Sequence, residues 1–208
     1  MSRVPLLLVG AGGHARSCLD VIEAEGRFEV SGLVGAPSEV GNAVLGRRVL
    51  GTDEDLAGHL ARIRHALVAV GQIRTSEPRE RLFAKLRGLG FELPTVISPH
   101  AHVSSHAMLG AGTIVMHGAI VNAGARVGAN CILNSRSLVE HDAQVGDHSH
   151  VSTGAIVNGA ARIGTRCFIG SGAIVREGVA VGDDCVVGMH QSVLRDCAPG
   201  TRLTGGGR

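Results

Sequence analysis

The apolar positions of this chain obey two different rules. Through residues 1 to 94 they fall into short runs and helically spaced stretches. "VPLLLVG" (Val4 to Gly10) reads as a buried strand, and "HARSCLDVIEAEG" as a helix closed by Gly26. "FEVSGLVG" and "HALVAVG" read as further strands, and "SEPRERLFAKLRGLG" as an amphipathic helix ending at Gly88 or Gly90. Strands alternating with helices predict a small parallel α/β, Rossmann-like domain.

The second domain, residue 95 to residue 208, follows another rule, a strict period of six from Ile97 to Val193. Seventeen aliphatic residues recur without a failure, from Ile97, Val103 and Leu109 through Val139, Val145 and Val151 to Val187 and Val193. A small residue follows four positions later in most hexads, and Gly, Asn or Asp commonly three positions later, where positive φ at a corner would be needed. This is the hexapeptide repeat of a parallel β-helix. Three hexads make an 18-residue triangular coil, and coils stack at about the 4.8 Å strand spacing.

Strand alternation then sends the aliphatic and small residues inward and the residue between them outward. One outward column is apolar (Ile120, Leu138, Ile156, Ile174), and a second reads Ile114, Ile132, His150, Phe168. The third (Arg126, Gln144, Arg162, Ala180) is polar. Exposed apolar stacks mark interfaces, so the two apolar faces are expected to meet neighbouring copies in a homotrimer.

Composition narrows the function. A net charge of +2 and the absence of Trp and Tyr argue against nucleic-acid binding. The apolar run at the N-terminus is too short for a membrane span and lacks a signal-peptide layout, so a cytoplasmic protein without membrane contact is expected. Five cysteines without C-x-x-C spacing fit neither a disulfide framework nor a zinc ribbon. Cys131, Cys167 and Cys185 share one inward column and are expected to be small core residues. Among the eleven histidines there is no pair five residues apart of the kind associated with β-helix carbonic anhydrases, so no metal is expected.

The densest polar stretch is "SLVEHDAQVGDHSH", Ser137 to His150. His141 and Asp142 fall at a coil corner and can project, whereas Asp147 and His148 are expected to be corner residues only. His150 interrupts an apolar column, so it should be partnered or functional. Gly159 lies 18 residues beyond His141, directly above it, leaving room and a backbone N–H beside the ring. A base, a slot and a donor for a developing oxyanion suit acyl transfer. In the first domain "GAGGHA" (Gly10 to Ala15) is a glycine-rich turn between strand and helix, of the kind that cradles phosphates. The acidic residue that a nicotinamide dinucleotide site wants after the second strand is replaced by Gly35 and Ala36, so a nucleotide diphosphate bound for another purpose is preferred.

"GAGGHA", "VAVGQIRTSEPRERLF", "TVISPHAHVSSHAMLGAGT" and "NSRSLVEHDAQVGDHSHVSTGAIVNG" together resemble the bacterial sugar O- and N-acetyltransferases that join a nucleotide-binding domain to a left-handed β-helix. The likeness spans almost the whole chain, and the Glu-His-Asp segment carries it most specifically. It implies a trimer with active sites between subunits and acetyl-CoA lying along the coils. It further implies that His141 is the general base oriented by Asp142, that His150 and Gly159 meet acetyl-CoA, and that Asn134 touches the sugar. Gly10, Gly12, Gly13 and His14 would bind the diphosphate. Family members that use UDP-sugars carry acids where Gly35 and Ala36 stand, which favours a GDP-linked 4-amino-4,6-dideoxy sugar such as GDP-perosamine over a UDP-linked one. The ending "LTGGGR" departs from the family's G-x-P-A pattern. The rival readings are O-acetylation of sialic acid or another sugar, and a trimeric sugar-nucleotide-binding scaffold without catalysis.

Overall fold

A computed structural model describes residues 3–205. In the α/β part, β1 (Val4–Val9) is followed by α1 (Gly13–Glu25) and β2 (Phe28–Val34). After a 3-10 turn (Pro37–Glu39) come β3 (Ala43–Val44), β4 (Arg47–Gly51), α2 (Leu56–His59), β5 (His65–Val68) and α3 (Glu77–Leu89). The sheet order is β3-β4-β2-β1-β5, with β2 and β5 both parallel to β1. The β3–β4 hairpin and α2 lie in a stretch whose periodicity is too short to announce them. Gly26 adopts the left-handed conformation and caps α1 on the Ile22 carbonyl, as its position suggested.

The hexads fold as a left-handed parallel β-helix whose two-residue strands run from β6 (Val96–Ile97) to β22 (Ser192–Val193). Every aliphatic peg from Ile97 to Val193 is the second residue of its strand, and residues 18 apart pair in register, as Gln144 does with Arg162. Three parallel sheets form the three faces. The corner residue three places after each peg has positive φ at every turn from Gly112 to His190. Only some of these are glycine; Asn130, Arg136, Asp142, His148, Ala160 and Arg166 take the same left-handed conformation at φ between 53° and 59°. The geometry is imposed by the coil and not by residue preference.

A second column of glycines, one residue after the peg at every third corner, comprises Gly110, Gly128, Gly146, Gly164 and Gly182. A Cβ on Gly146 would lie 2.6 Å from the Gly164 carbonyl carbon, so the coils close only because none is present. The neighbouring inward column supplies Thr113, Cys131, Ser149, Cys167 and Cys185. Each donates to a carbonyl of the next coil, four of them to this glycine column: Thr113 Oγ1 to Gly128 O at 2.8 Å, Cys131 Sγ to Gly146 O at 3.2 Å, Ser149 Oγ to Gly164 O at 2.9 Å, Cys167 Sγ to Gly182 O at 3.1 Å. The cysteines are thus small core donors, free and buried, with Cys131 and Cys167 thiols pushed up to about 12 by burial.

One face differs from expectation. The column Ile114, Ile132, His150, Phe168 is not left for a neighbouring subunit. Ile114 and Ile132 are wholly buried in one cluster with Leu6, Ala15, Cys18 and Val96, because the chain's own α/β domain sits on that face. The column from Ile120 to Ile174 remains open and partly exposed, and the polar face borders a groove of about 740 Å³ that includes Arg126, Gln144 and Arg162. Beyond β22 the beat breaks. Residues 194–201 form a loop in which Cys197 bridges to Val181 and the Asp196 carboxylate accepts from the Ala180 N–H at 2.8 Å. The chain then re-enters as β23 (Arg202–Leu203) beside β21 (Val186–Val187). Of the "LTGGGR" ending, Gly206, Gly207 and Arg208 lie outside the described residues.

Gly146→Ala should lower stability by about 3 kcal/mol or more, since neither coil can yield to the new methyl. Gly154→Ala, with open space around its Cβ and φ 64°, should cost only the left-handed penalty of about 1 kcal/mol. Thermal denaturation of the two variants measures the contrast.

Candidate active site

Two groups of polar residues stand on opposite sides of the prism. The first is on the edge shared by the open apolar face and the polar face. There Asp142 Oδ2 accepts from His141 Nδ1 at 3.0 Å, and both side chains are exposed. Both residues stand on the coil corner, where Asp142 has φ 59°. Glu140 accepts from the His141 backbone N–H and from Asn122 Nδ2, which fixes the approach to the corner. The hydrogen bond that His141 donates to Asp142 raises the His141 pKa above its ordinary value, so the ring is a stronger base. Nε2 points at Gly159, on which a Cβ would lie only 2.7 Å away. The Gly159 N–H has no hydrogen-bond partner among the described residues. His141, Asp142 and Gly159 therefore come together as the 18-residue spacing required.

The second group lies where the α/β domain meets the β-helix. The Gly10–His14 turn joins β1 to the N-terminus of α1 and lines a cavity of about 760 Å³ with Gly35, Ala36, Glu39, Asp53 and Gly71. Gly10 has φ 125°, and a Cβ on it would meet Val70 at 2.9 Å. The N-terminal N–H groups of α1 and the helix dipole make this turn suitable for an anion. His14 is packed against Gly71, and its Nε2 is buried without a partner among the described residues. Burial first, then the charge of Arg79, holds its pKa down at about 3.

His150 belongs to this second group. It is 6% exposed, its ring edge-on to Phe168 at 5.2 Å. Nδ1 lies 2.8 Å from the Gln72 carbonyl, which can only accept, so Nδ1 carries the proton and Nε2 accepts from Asn134 Nδ2 at 3.1 Å. Burial lowers its pKa to about 4. Asn134 thus stands beside His150 and not beside His141. Asp147 and His148 are corner residues, Asp147 accepting from the Ala129 N–H at 2.7 Å and His148 pairing with Asn130 at 2.9 Å. Among the described residues no group of His, Cys, Asp and Glu is arranged to hold a metal, and no helix is long and apolar enough to cross a membrane.

Three residues escaped the sequence reading. Glu39 restores a carboxylate to the end of the second strand: the 3-10 turn folds it back so that Oε2 accepts from the Ala36 N–H at 2.8 Å beside Gly35. Its signal was Pro37, which starts that turn. Gln72 closes over His150 and donates to the Cys167 carbonyl at 3.2 Å, and Arg79 is a fully buried cation. Neither has a local signal, since both act across the domain boundary.

Residues 5–86 match the PglD N-terminal domain model, and residues 160–189 the hexapeptide repeat of succinyl-transferase. A search of curated protein sequences matched nothing. Among solved structures, a histidine-to-asparagine variant of perosamine N-acetyltransferase from Caulobacter crescentus, in complex with CoA and GDP-perosamine, is 33% identical with a TM-score of 0.91. The match covers 97% of this chain and 93% of that one. The PerB protein of the same organism, with the same ligands, is 34% identical over 94% of this chain and 91% of its own, at a TM-score of 0.88. The acetyltransferase domain of PglB from Neisseria gonorrhoeae, in complex with acetyl coenzyme A, is 31% identical over 97% and 96%, at a TM-score of 0.89.

Because His14 and His150 are neutral when folded but titrate near 6.5 when unfolded, the unfolded chain binds more protons between those values. Stability should therefore be full above about pH 6.5 and fall as pH drops towards about 4. Melting curves from pH 8 to pH 4 should show this loss, and His150→Asn should flatten it.

Proposed function

The chain belongs to the hexapeptide-repeat acetyltransferases that carry a PglD-type N-terminal domain and use acetyl-CoA, and from that premise we propose that it acetylates the C4 amine of a nucleotide-linked 4-amino-4,6-dideoxy sugar. The observation that carries the reading is the His141–Asp142 pair set against Gly159 on an open edge. Neutral His141 takes a proton from the amine through Nε2 as nitrogen attacks the thioester carbonyl. The C–N bond forms, and a backbone N–H such as that of Gly159 steadies the oxyanion. The C–S bond then breaks, and the CoA thiolate leaves with the proton that the imidazolium returns. Asp142 holds the imidazolium through Nδ1–H. No covalent acetyl-enzyme is needed, since the cysteines on the helix face inward without a base.

Acetyl-CoA would lie along the groove of the polar face, where Arg126 and Arg162 offer charge to its phosphates and Gly159 stands beside the reacting carbonyl. The diphosphate would sit on the Gly10–His14 turn, with Asn134 and His150 towards the sugar: His150, expected to meet acetyl-CoA, lies under the α/β domain and not on the groove of the polar face. A GDP-linked sugar such as GDP-perosamine is the preferred substrate. The likeness to the Caulobacter enzyme supports it.

A homotrimer is part of the same proposal. The α/β domain covers one face, and His141 stands on the edge between the other two, which supports a site whose base and diphosphate turn come from different copies. The open Ile120–Ile174 column gives a second copy an apolar surface to dock on.

A thiol-release assay with acetyl-CoA and GDP- or UDP-linked 4-amino sugars tests the reaction. Turnover should favour GDP, and His141→Asn should lose about 10²–10⁴-fold in kcat. Near-wild-type turnover by that variant removes His141 from the role, and release only with hydroxyl acceptors would turn the reading to O-acetylation. Co-folding His141→Ala chains with chains carrying Gly10→Val should restore activity that neither homotrimer has. No restoration would place each site within one chain.

A further inference from the structure

Arg79 is the one fully buried side chain that carries a full charge among the described residues, and the chemistry above does not use it. Its guanidinium makes four hydrogen bonds, all to neutral oxygens. Nη1 donates to Val68 O at 3.0 Å and Val70 O at 2.6 Å, and Nη2 to Asn130 O at 3.0 Å and Asn130 Oδ1 at 2.8 Å. Nε is buried with no partner, and none of the salt bridges among the described residues involves it. Burial pulls its pKa down, to about 10, so it is charged at neutral pH. A buried cation without a counterion is costly, and truncating or pairing it would be the ordinary solution in a purely structural position.

The bonds show where the charge is directed. The peptide whose oxygen is Val70 O carries the Gly71 N–H, which lines the diphosphate cavity and has no hydrogen-bond partner among the described residues. The peptide whose oxygen is Val68 O carries the Ala69 N–H, which donates to Val9 O at 2.7 Å, immediately before the Gly10 turn. A charged donor on a carbonyl polarises the N–H of the same peptide unit. The same segment continues to Gln72, whose carbonyl holds His150. From the other side, Asn130 anchors the guanidinium to a corner of the β-helix.

We propose that Arg79 is a positioning residue for the nucleotide diphosphate. It locks residues 68–72 to the β-helix and directs an uncompensated buried charge through them at the Gly10–His14 turn, so that the bound diphosphate supplies the missing counterion. The inference rests on the reading of that turn as a diphosphate site and adds a residue that does not touch the ligand.

Calorimetric titration of the full-length protein with GDP and, separately, acetyl-CoA tests it. Arg79→Met keeps the volume and removes the charge. It should weaken GDP binding about tenfold or more, through loss of the buried charge behind the turn, and leave acetyl-CoA binding within about twofold. Arg79→Lys, which keeps a cation but not the fork, should fall between Met and wild type. Unchanged GDP affinity in a cooperatively melting Arg79→Met, or equal weakening towards both ligands, would overturn the proposal. If the Met variant does not fold, the Lys variant decides by the same two criteria. A wild-type chain that binds neither GDP nor UDP would instead remove the reading of the turn, and this proposal with it.

Discussion

The distance between successive coils governs this molecule. Eighteen residues must return the chain to a point one strand spacing higher, which requires a left-handed residue at each corner and bare glycine where two coils touch. Asn130, Arg136, Asp142 and Ala160 accept the left-handed conformation because the parallel ladders on both sides leave no alternative. The Thr, Cys and Ser column then ties each coil to the next through the glycine carbonyls. Because the stacking is this regular, a residue and its counterpart 18 positions later are vertical neighbours. The placement of His141 beneath Gly159 is a direct product of that rule.

Legibility in the sequence followed the range of the interactions. The β-helix was readable from Ile97 to Val193, since its period is local and every peg in that span keeps phase, but the irregular return of Arg202–Leu203 was not. The His141–Asp142–Gly159 edge was readable for the same reason. The fate of the Ile114–Phe168 column was not, because an outward apolar stripe reads the same whether a second copy or the chain's own domain covers it. Glu39, Gln72 and Arg79 were missed on similar grounds: each acts through a contact distant in sequence or through a fold-back turn that hydrophobic periodicity does not register.

His141, His14 and His150 fall into two electrostatic classes. His141 is exposed, paired with a carboxylate and made more basic, which suits a group that must gain and return a proton. His14 and His150 are enclosed and held neutral, which suits groups that shape a cavity and offer fixed hydrogen bonds. The same residue type serves opposite purposes because one kind stands on a solvent edge and the other lies under a domain.

The interruption after Val193 has a consequence for the molecule in the cell. A β-helix ends in a coil with unpaired rungs on all three faces, a template on which another chain's coil could stack and grow into a fibre. Here the Asp196 carboxylate occupies the Ala180 N–H, Cys197 takes the next place on Val181, and Arg202–Leu203 fills the rung above Val186. The broken repeat covers the last regular rung on two faces, while Ser192–Val193 stays the terminal rung of the third, so growth by stacking is blocked on two sides of the prism.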